Sequence, residues 1–254
     1  MHEVKTDNPG DKPEKKPKRP KLPRTGMPEQ PARVRATNFD EVTLGYNEDM
    51  AKLEASRCLQ CKRPKCVDGC PVGIDIPAFI KAIENGDPAA AIAKLKETTS
   101  FPAVCGRVCP QEEQCELLCV LGKKQEPVAI GRLERFAADW ELNNSTSSKP
   151  AIAARTGRSV GVVGSGPAGV TCAGELAKMG HDVTIYEALH KPGGVLVYGI
   201  PEFRLPKAIV QRECDYVESL GVDIKLDYVI GRTMTVDQMM ESGHDAVFLA
   251  NGAG

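Results

Sequence analysis

A helical, cysteine-rich domain followed by an α/β Rossmann-like domain is the fold class that this 254-residue sequence predicts, and three observations carry it. Eight of the ten cysteines lie between Cys58 and Cys119. No strand-like pattern of any length precedes residue 158. Beyond it, the apolar β-branched run Val160 to Val163 leads straight into Gly164-Ser165-Gly166-Pro167-Ala168-Gly169, the pattern of a strand, a tight turn and a helix.

The composition excludes several classes. With 41% hydrophobic and 26% charged residues the chain is a globular protein with room for one large domain or two modest ones. A net charge of −1 supplies no global field to hold nucleic acid or an anionic membrane. The longest stretch free of charge, Ser159 to Gly174, is too short and too glycine-rich to span a bilayer. Met1 is followed by polar, Pro- and Lys-rich sequence instead of the apolar core of a signal peptide, so a cytoplasmic location is expected. In a reducing compartment, clustered cysteines point to metal or cluster ligands before disulfides.

Residues 1–36 hold ten Lys or Arg against five Asp or Glu and seven of the 19 prolines, with few large apolar side chains. Such a segment buries too little surface to offset its chain entropy and reads as a disordered basic arm. The first domain, 37–142, is expected to be helical, with helices from about Asn47 to Arg57, Ile76 to Asn85, Pro88 to Thr98, Gln111 to Cys119 and Ile130 to Leu142. Residues 143–157, rich in serine, read as a linker. In the second domain, 158–254, the pattern predicts a strand at Val160 to Val163, a helix at Ala168 to Met179 and a strand at Val183 to Tyr186. A helix at Lys207 to Leu220, a strand at Val222 to Leu226, a short helix near Val236 to Met240 and a buried strand at Ala246 to Ala250 follow.

The cysteines fall into two blocks, Cys58-x2-Cys61-x4-Cys66-x3-Cys70-Pro71 and Cys105-x3-Cys109-Pro110-x4-Cys115-x3-Cys119. Loops of two to four residues let thiolates converge on one inorganic core, the fourth cysteine of a block can serve a neighbouring cluster, and a trailing Cys-Pro is the habit of ferredoxins. Two four-thiolate zinc sites are the alternative, but the second block contains no C-x2-C knuckle. Iron–sulfur clusters are therefore preferred, with each cluster free to draw on both blocks. Cys172 and Cys214 stand in expected helices and read as packing residues.

In the glycine loop, Gly164 makes the tight turn, Gly166 admits a pyrophosphate and Gly169 packs helix on strand, with the phosphates at the helix N-terminus. Glu187 ends the second strand, where a carboxylate accepts from ribose hydroxyls and disfavours a 2′-phosphate, which leaves FAD or NAD as the ligand. Pro192-Gly193-Gly194 adds a second close approach of backbone and favours FAD. Arg204 reads equally as a surface cation or as a group reaching a flavin.

The cysteine array joined to GSGPAG and then to GGVLVYGIPEFRLPK resembles the small-chain family of NADPH-dependent glutamate synthase over nearly all of the chain after the basic arm. That family extends to the N-terminal region of dihydropyrimidine dehydrogenase, to sulfide dehydrogenase and to the bifurcating NADH-dependent reduced ferredoxin:NADP+ oxidoreductase. The run Val195 to Phe203 is most similar to the homotetrameric glutamate synthase branch. The resemblance implies two 4Fe-4S clusters, one on Cys58, Cys61, Cys66 and Cys119, the other on Cys70, Cys109, Cys115 and Glu134, with Cys105 a spare thiol nearby. It implies FAD held by Gly164, Ser165, Gly166, Pro167, Ala168, Gly169, Glu187, Gly193, Gly194, Val195 and Arg204, with Ile230 near the adenine.

Family members continue past the Ala250 to Gly254 turn into a second dinucleotide domain, so the chain is expected to be an N-terminal portion of a longer protein. Asn251 stands where threonine is usual. The expected function is passage of electrons between NAD(P)H, FAD and the clusters to a partner oxidoreductase subunit or ferredoxin, in an oligomer. The chain alone is expected to be inactive with NAD(P)H, and no acid, base or nucleophile is needed. A zinc-stabilised docking module with a dinucleotide sensor domain is the alternative from another class.

Overall fold

The computed structural model describes residues 22–144 and 150–252. Its N-terminal half is helical: α1 (Ala32–Arg35), α2 (Glu48–Ala55), α3 (Lys65–Asp68), α4 (Ile76–Glu84), α5 (Pro88–Lys96), α6 (Pro102–Val108) and α7 (Ile130–Asn144). The C-terminal half alternates β1 (Ser159–Val163), α8 (Pro167–Lys178), β2 (Asp182–Tyr186), α9 (Val195–Tyr198), α10 (Lys207–Ser219), β3 (Asp223–Lys225), α11 (Val236–Glu241) and β4 (Ala246–Leu249). The four strands form one parallel sheet in the order β3-β2-β1-β4. No described helix is long and apolar enough to cross a membrane.

Local chemistry sets the helix starts. The side chains of Asn47, Asp75 and Asp87 accept from the backbone N–H three residues on and so cap α2, α4 and α5. Pro77 and Pro88 occupy first-turn positions where no N–H is needed. Ile76, Phe79, Ile80 and Ile83 recur along one face of α4 and are buried with Ile92, Leu95 and Leu133 in the helical core.

The structure departs from the sequence expectations in four places. Residues 22–36, placed in the disordered arm, are packed on the helical domain. Thr25 N–H donates to Glu54 at 2.7 Å, Arg24 pairs with Glu116 at 2.7 Å, and Arg57 donates to the Leu22 carbonyl at 3.1 Å. Their partners are distant in sequence, so a local composition argument does not see them. Residues 1–21 of that arm lie outside the described residues. The helix expected over Gln111 to Cys119 is only a 3-10 turn at Gln111–Glu113, because Gln114 leaves the helical region at φ −122°. A second 3-10 turn follows at Val120–Lys123.

The expected linker is the third difference. α7 runs through Asn144, residues 145–149 lie outside the described residues, and 150–157 lie against the second domain through Ala153 N–H to the Lys178 carbonyl (2.9 Å) and Thr156 N–H to the Gly180 carbonyl (3.0 Å). Finally, α6 has no counterpart in the sequence reading. It is only seven residues long, yet it joins the two halves. Ala103 belongs to the helical core, whereas Phe101 and Val104 pack into the core of the sheet domain with Val162, Ile185 and Val217.

Two contacts hold α6 in place. Gly106 lies so close to α7 that a Cβ there would stand 2.5 Å from the Arg135 nitrogen and 2.6 Å from its Cα. On the other side the buried carboxylate of Glu213, on α10, accepts from Ala103 N–H (2.7 Å) and Val104 N–H (3.3 Å). Burial raises the Glu213 carboxyl from 4.5 to about 8, against the lowering effect of those two N–H groups and of Lys96 and Arg107.

Gly106→Ala drives a methyl group into backbone that has little room to move, so it is expected to cost about 1–3 kcal/mol in urea unfolding. The raised pKa of Glu213 favours its uncharged form in the folded chain. Its stabilising effect is present below 4.5 and is lost as pH rises through about 8. Urea unfolding of the apo chain across that window is expected to show falling stability with rising pH, and Glu213→Gln to flatten that slope.

Candidate functional site

The cysteines stand in two groups. Cys58, Cys61, Cys66 and Cys119 line one space, together with apolar side chains such as Leu59, Pro77 and Leu121. Cys58 follows the end of α2, its N–H donating to the Ala55 carbonyl at 3.0 Å. Gln60 takes a left-handed φ of 50° that folds the Cys58–Cys61 loop back, and its side-chain amide donates to the Pro77 carbonyl at 3.1 Å. Cys66 rides on α3, and Cys119 precedes the second 3-10 turn. Burial pushes the Cys66 thiol up to about 12, and the neighbouring Cys119 and Cys58 push in the same direction. Thiolates crowded in an apolar space repel one another unless a cationic core compensates them.

The second group draws on three segments. The Cys109 thiol is pushed up to about 11 by burial and then by Glu134, Cys70 and Glu112. Cys115 is raised by burial and then by Glu116, Glu134, Cys70 and Cys109. Cys109 and Cys115 thus share the influence of Cys70 and Glu134, although no three His, Cys, Asp or Glu among the described residues are gathered closely enough to hold a metal ion. Cys105 is raised by burial, Glu134, Glu213 and Cys109. No disulfide joins any of the ten cysteines.

Glu134 is the unusual member. It faces inward from α7, is 5% exposed, and its Oε1 has no hydrogen-bond partner. Burial, reinforced by Glu213, raises its carboxyl to about 8. Other buried carboxylates here are satisfied: Glu54 accepts from Thr25 and Ala129 N–H and pairs with Arg57, and Glu116 accepts from Gly131 N–H and pairs with Arg24. Glu134 thus combines a buried oxygen that has no partner among the described residues with an influence on the Cys109 and Cys115 thiols.

The second site is a cleft of about 740 Å³ at the carboxyl ends of β1 and β2, within the range of small-ligand pockets. Gly164, Gly166, Pro167, Ala168, Glu187, Gly194, Val195 and Ile230 line it. Gly164 has φ +96°, and a Cβ there would meet the Ala250 carbonyl oxygen at 2.5 Å. A Cβ on Gly194 would stand 2.8 Å from the Gly166 Cα, so the two glycine turns meet backbone to backbone.

Three residues assigned to this cleft from the sequence, Ser165, Gly193 and Arg204, do not line it, and Gly169 has the packing role that its place in the loop predicts. Gly169 packs α8 on β1, where a Cβ would lie 1.9 Å from the Gly164 carbonyl oxygen. Ser165 and Gly193 form the support behind the wall: the Ser165 N–H (2.8 Å) and hydroxyl both donate to Glu187 Oε2, and Gly193 N–H donates to the Ser165 hydroxyl at 3.0 Å. Arg204 is exposed in the turn before α10 and is not among the lining residues, because its loop is folded away by Lys207, whose ammonium donates to the carbonyls of Leu196, Ile200 and Leu205.

Glu187 Oε1 also accepts from Leu189 N–H at 2.8 Å. Three of its roughly four acceptor positions are thus used within the chain, which leaves about one for a ligand hydroxyl. The aromatic lining by Tyr186, Tyr198 and Tyr228 was not legible in the sequence, since each lies on a different element. Cys214 is buried in the sheet-domain core, as its packing role required, and Cys172 is half-buried.

Ser165→Ala removes the hydroxyl that joins Glu187 to Gly193. It is expected to lower stability by about 1 kcal/mol in urea unfolding, since Glu187 loses one buried donor while Gly193 N–H keeps the Ser165 carbonyl at 3.1 Å.

Comparison with known proteins agrees with this two-part architecture. Residues 35–146 match the family described as dihydropyrimidine dehydrogenase domain II, 4Fe-4S cluster, and residues 162–202 match the NAD(P)-binding Rossmann-like domain. The chain is 35% identical over 231 residues to the NADPH glutamate synthase small chain of Escherichia coli K12, covering 91% of this chain and 49% of that protein. It is 39% identical over 223 residues to the NADH glutamate synthase of Saccharomyces cerevisiae, covering 87% of this chain and 10% of the yeast protein. It is 36% identical over 219 residues to the NAD-dependent dihydropyrimidine dehydrogenase subunit PreT of Escherichia coli K12, covering 85% of this chain and 53% of that subunit. The chain thus spans about half the length of the small chain it matches. It is a homologue of the glutamate synthase small chains, with a helical domain of the 4Fe-4S type followed by a Rossmann-like domain.

Proposed function

We propose that this chain is the iron–sulfur and flavin-binding part of an NAD(P)H-dependent oxidoreductase that delivers electrons to a partner subunit. In this reading Cys58, Cys61, Cys66 and Cys119 hold one 4Fe-4S cluster, and Cys70, Cys109, Cys115 and Glu134 hold the other. The observation that carries it is the buried Glu134 oxygen left without a partner among the described residues, on a residue that acts on the Cys109 and Cys115 thiols. When bound, a flavin exchanges a hydride with a nicotinamide and releases electrons singly to clusters.

The residues of the chain bind and orient these groups. The N-terminus of α8 and the backbone of Gly164, Gly166 and Gly194 receive the pyrophosphate of FAD, and the remaining acceptor of Glu187 takes a ribose hydroxyl. Cys105, on the helix that ends at Cys109, packs against the sheet-domain core, whereas Cys58, Cys66 and Cys119 lie with the helical core, which supports a second group nearer the flavin domain than the first. The order supported is flavin cleft, second group, first group, partner. Burial of Cys115 and Glu134 keeps water from the inner group.

Protein purified without oxygen is expected to contain about eight irons and eight sulfides, with a broad visible shoulder and bound flavin. Cys115→Ser is expected to lose about half of the iron. Glu134→Ala is expected to alter the electron paramagnetic resonance signal of one cluster and leave the other unchanged. Zinc without visible absorption would overturn the reading in favour of a structural module.

A further inference from the structure

The mouths of the two thiol groups differ in character. Beside the first, Leu59 is 45% exposed and Val120 38%, and in the two positions before Cys119 Leu117 is 67% exposed and Leu118 42%. Leu59 and Val120 line the same space as the four cysteines of that group. Leu118 rests on Gly69, where an added Cβ would meet its Cδ1 at 3.1 Å, so the apolar surface extends toward the Cys70 turn. None of these side chains supports the helical core, and clustered exposed leucines on a soluble fold mark an interaction site.

Charge is divided between the two mouths. Lys62, Arg63 and Lys65 are exposed on the Cys61–Cys66 loop, and Lys123 and Lys124 are exposed after Val120. The acidic groups nearby are Asp68, which pairs with Lys65 at 2.8 Å, and Glu126. Glu112 and Glu113 are exposed on the 3-10 turn beside Cys109, which belongs to the other group. The first mouth is therefore apolar with a basic rim, and the second carries acidic residues.

We propose that Leu59, Leu117, Leu118 and Val120, with the rim of Lys62, Arg63, Lys123 and Lys124, form the docking surface for an acidic electron-transfer protein seated over the first group. The proposal rests on the cluster reading of that group. A small apolar centre ringed by charge suits a transient redox encounter, which needs less area than a permanent interface and uses complementary charge to steer association. A second copy of this chain fits poorly, since a two-fold contact would set the basic rim against itself.

The test is the anisotropy of labelled acidic two-iron ferredoxin and acidic flavodoxin, titrated with iron-loaded protein at several salt concentrations. At least one probe is expected to bind at low salt and to weaken steadily as salt is added. The triple variant Lys62→Glu, Arg63→Glu, Lys123→Glu is expected to raise Kd by about tenfold or more. Leu59→Ser with Leu117→Ser is expected to weaken binding by a similar factor at constant salt, whereas Glu112→Lys with Glu113→Lys is expected to leave Kd within about twofold. Circular dichroism and iron content of each variant establish that fold and clusters persist.

Failure of both probes to bind at low salt, or binding indifferent to the triple charge reversal, would overturn the proposal. So would burial of the patch by self-association, seen in sedimentation as a dimer that Leu117→Ser dissociates. Iron and sulfide analysis of the same samples keeps the two readings apart: iron-loaded protein that does not bind refutes only the docking surface, and protein without iron refutes the cluster reading.

Discussion

The approach of α6 to α7 at Gly106 is the constraint on which the other features depend. With no side chain at Gly106, the backbone of α6 lies directly on Arg135. That contact brings α6, which carries Cys105 and ends at Cys109, against α7 one residue from Glu134. It also turns Phe101 and Val104 outward into the core of the sheet domain, where Glu213 receives the first N–H groups of α6. One short helix therefore carries two of the clustered cysteines to α7 and forms the seam between two domains.

Buried charge is handled in two ways across the molecule. Glu54 with Arg57, Glu116 with Arg24 and Glu141 with Lys96 are ion pairs whose remaining positions are filled largely by backbone groups. Removing one partner of such a pair leaves an uncompensated charge, so these pairs specify how the N-terminal segment and the helices fit together even where their net stabilisation is small. Glu134 is different because its oxygen has no partner within the chain. The proposed role of Glu134 at a cluster rests on that contrast.

The dinucleotide cleft follows a related logic. Glu187 first organises the chain, by accepting from Ser165 and Leu189, and only its residual capacity faces the cleft. The glycine loop is thus held in a ligand-ready form, which lowers the ordering cost of binding. Tyr186, Tyr198 and Tyr228 give the cleft its aromatic walls.

Much of this was legible in one dimension. The helix starts near Asn47, Ile76 and Pro88 and the strand-turn-helix around Gly164 are local chemistry, in which each residue acts within a few positions of itself. The two cysteine blocks likewise announced metal chemistry, because short loops between thiols are a local property. Spacing alone was silent on which thiols share a group and gave no reason to choose Glu134 over any other helix carboxylate. Nor did it find α6, too short to show a period, or the packing of residues 22–36, whose partners stand far along the chain. Tertiary structure decided the seam at α6, the packing of residues 22–36 and the orphaned oxygen of Glu134, because pairing, burial and orphaned polarity depend on groups that only folding brings together.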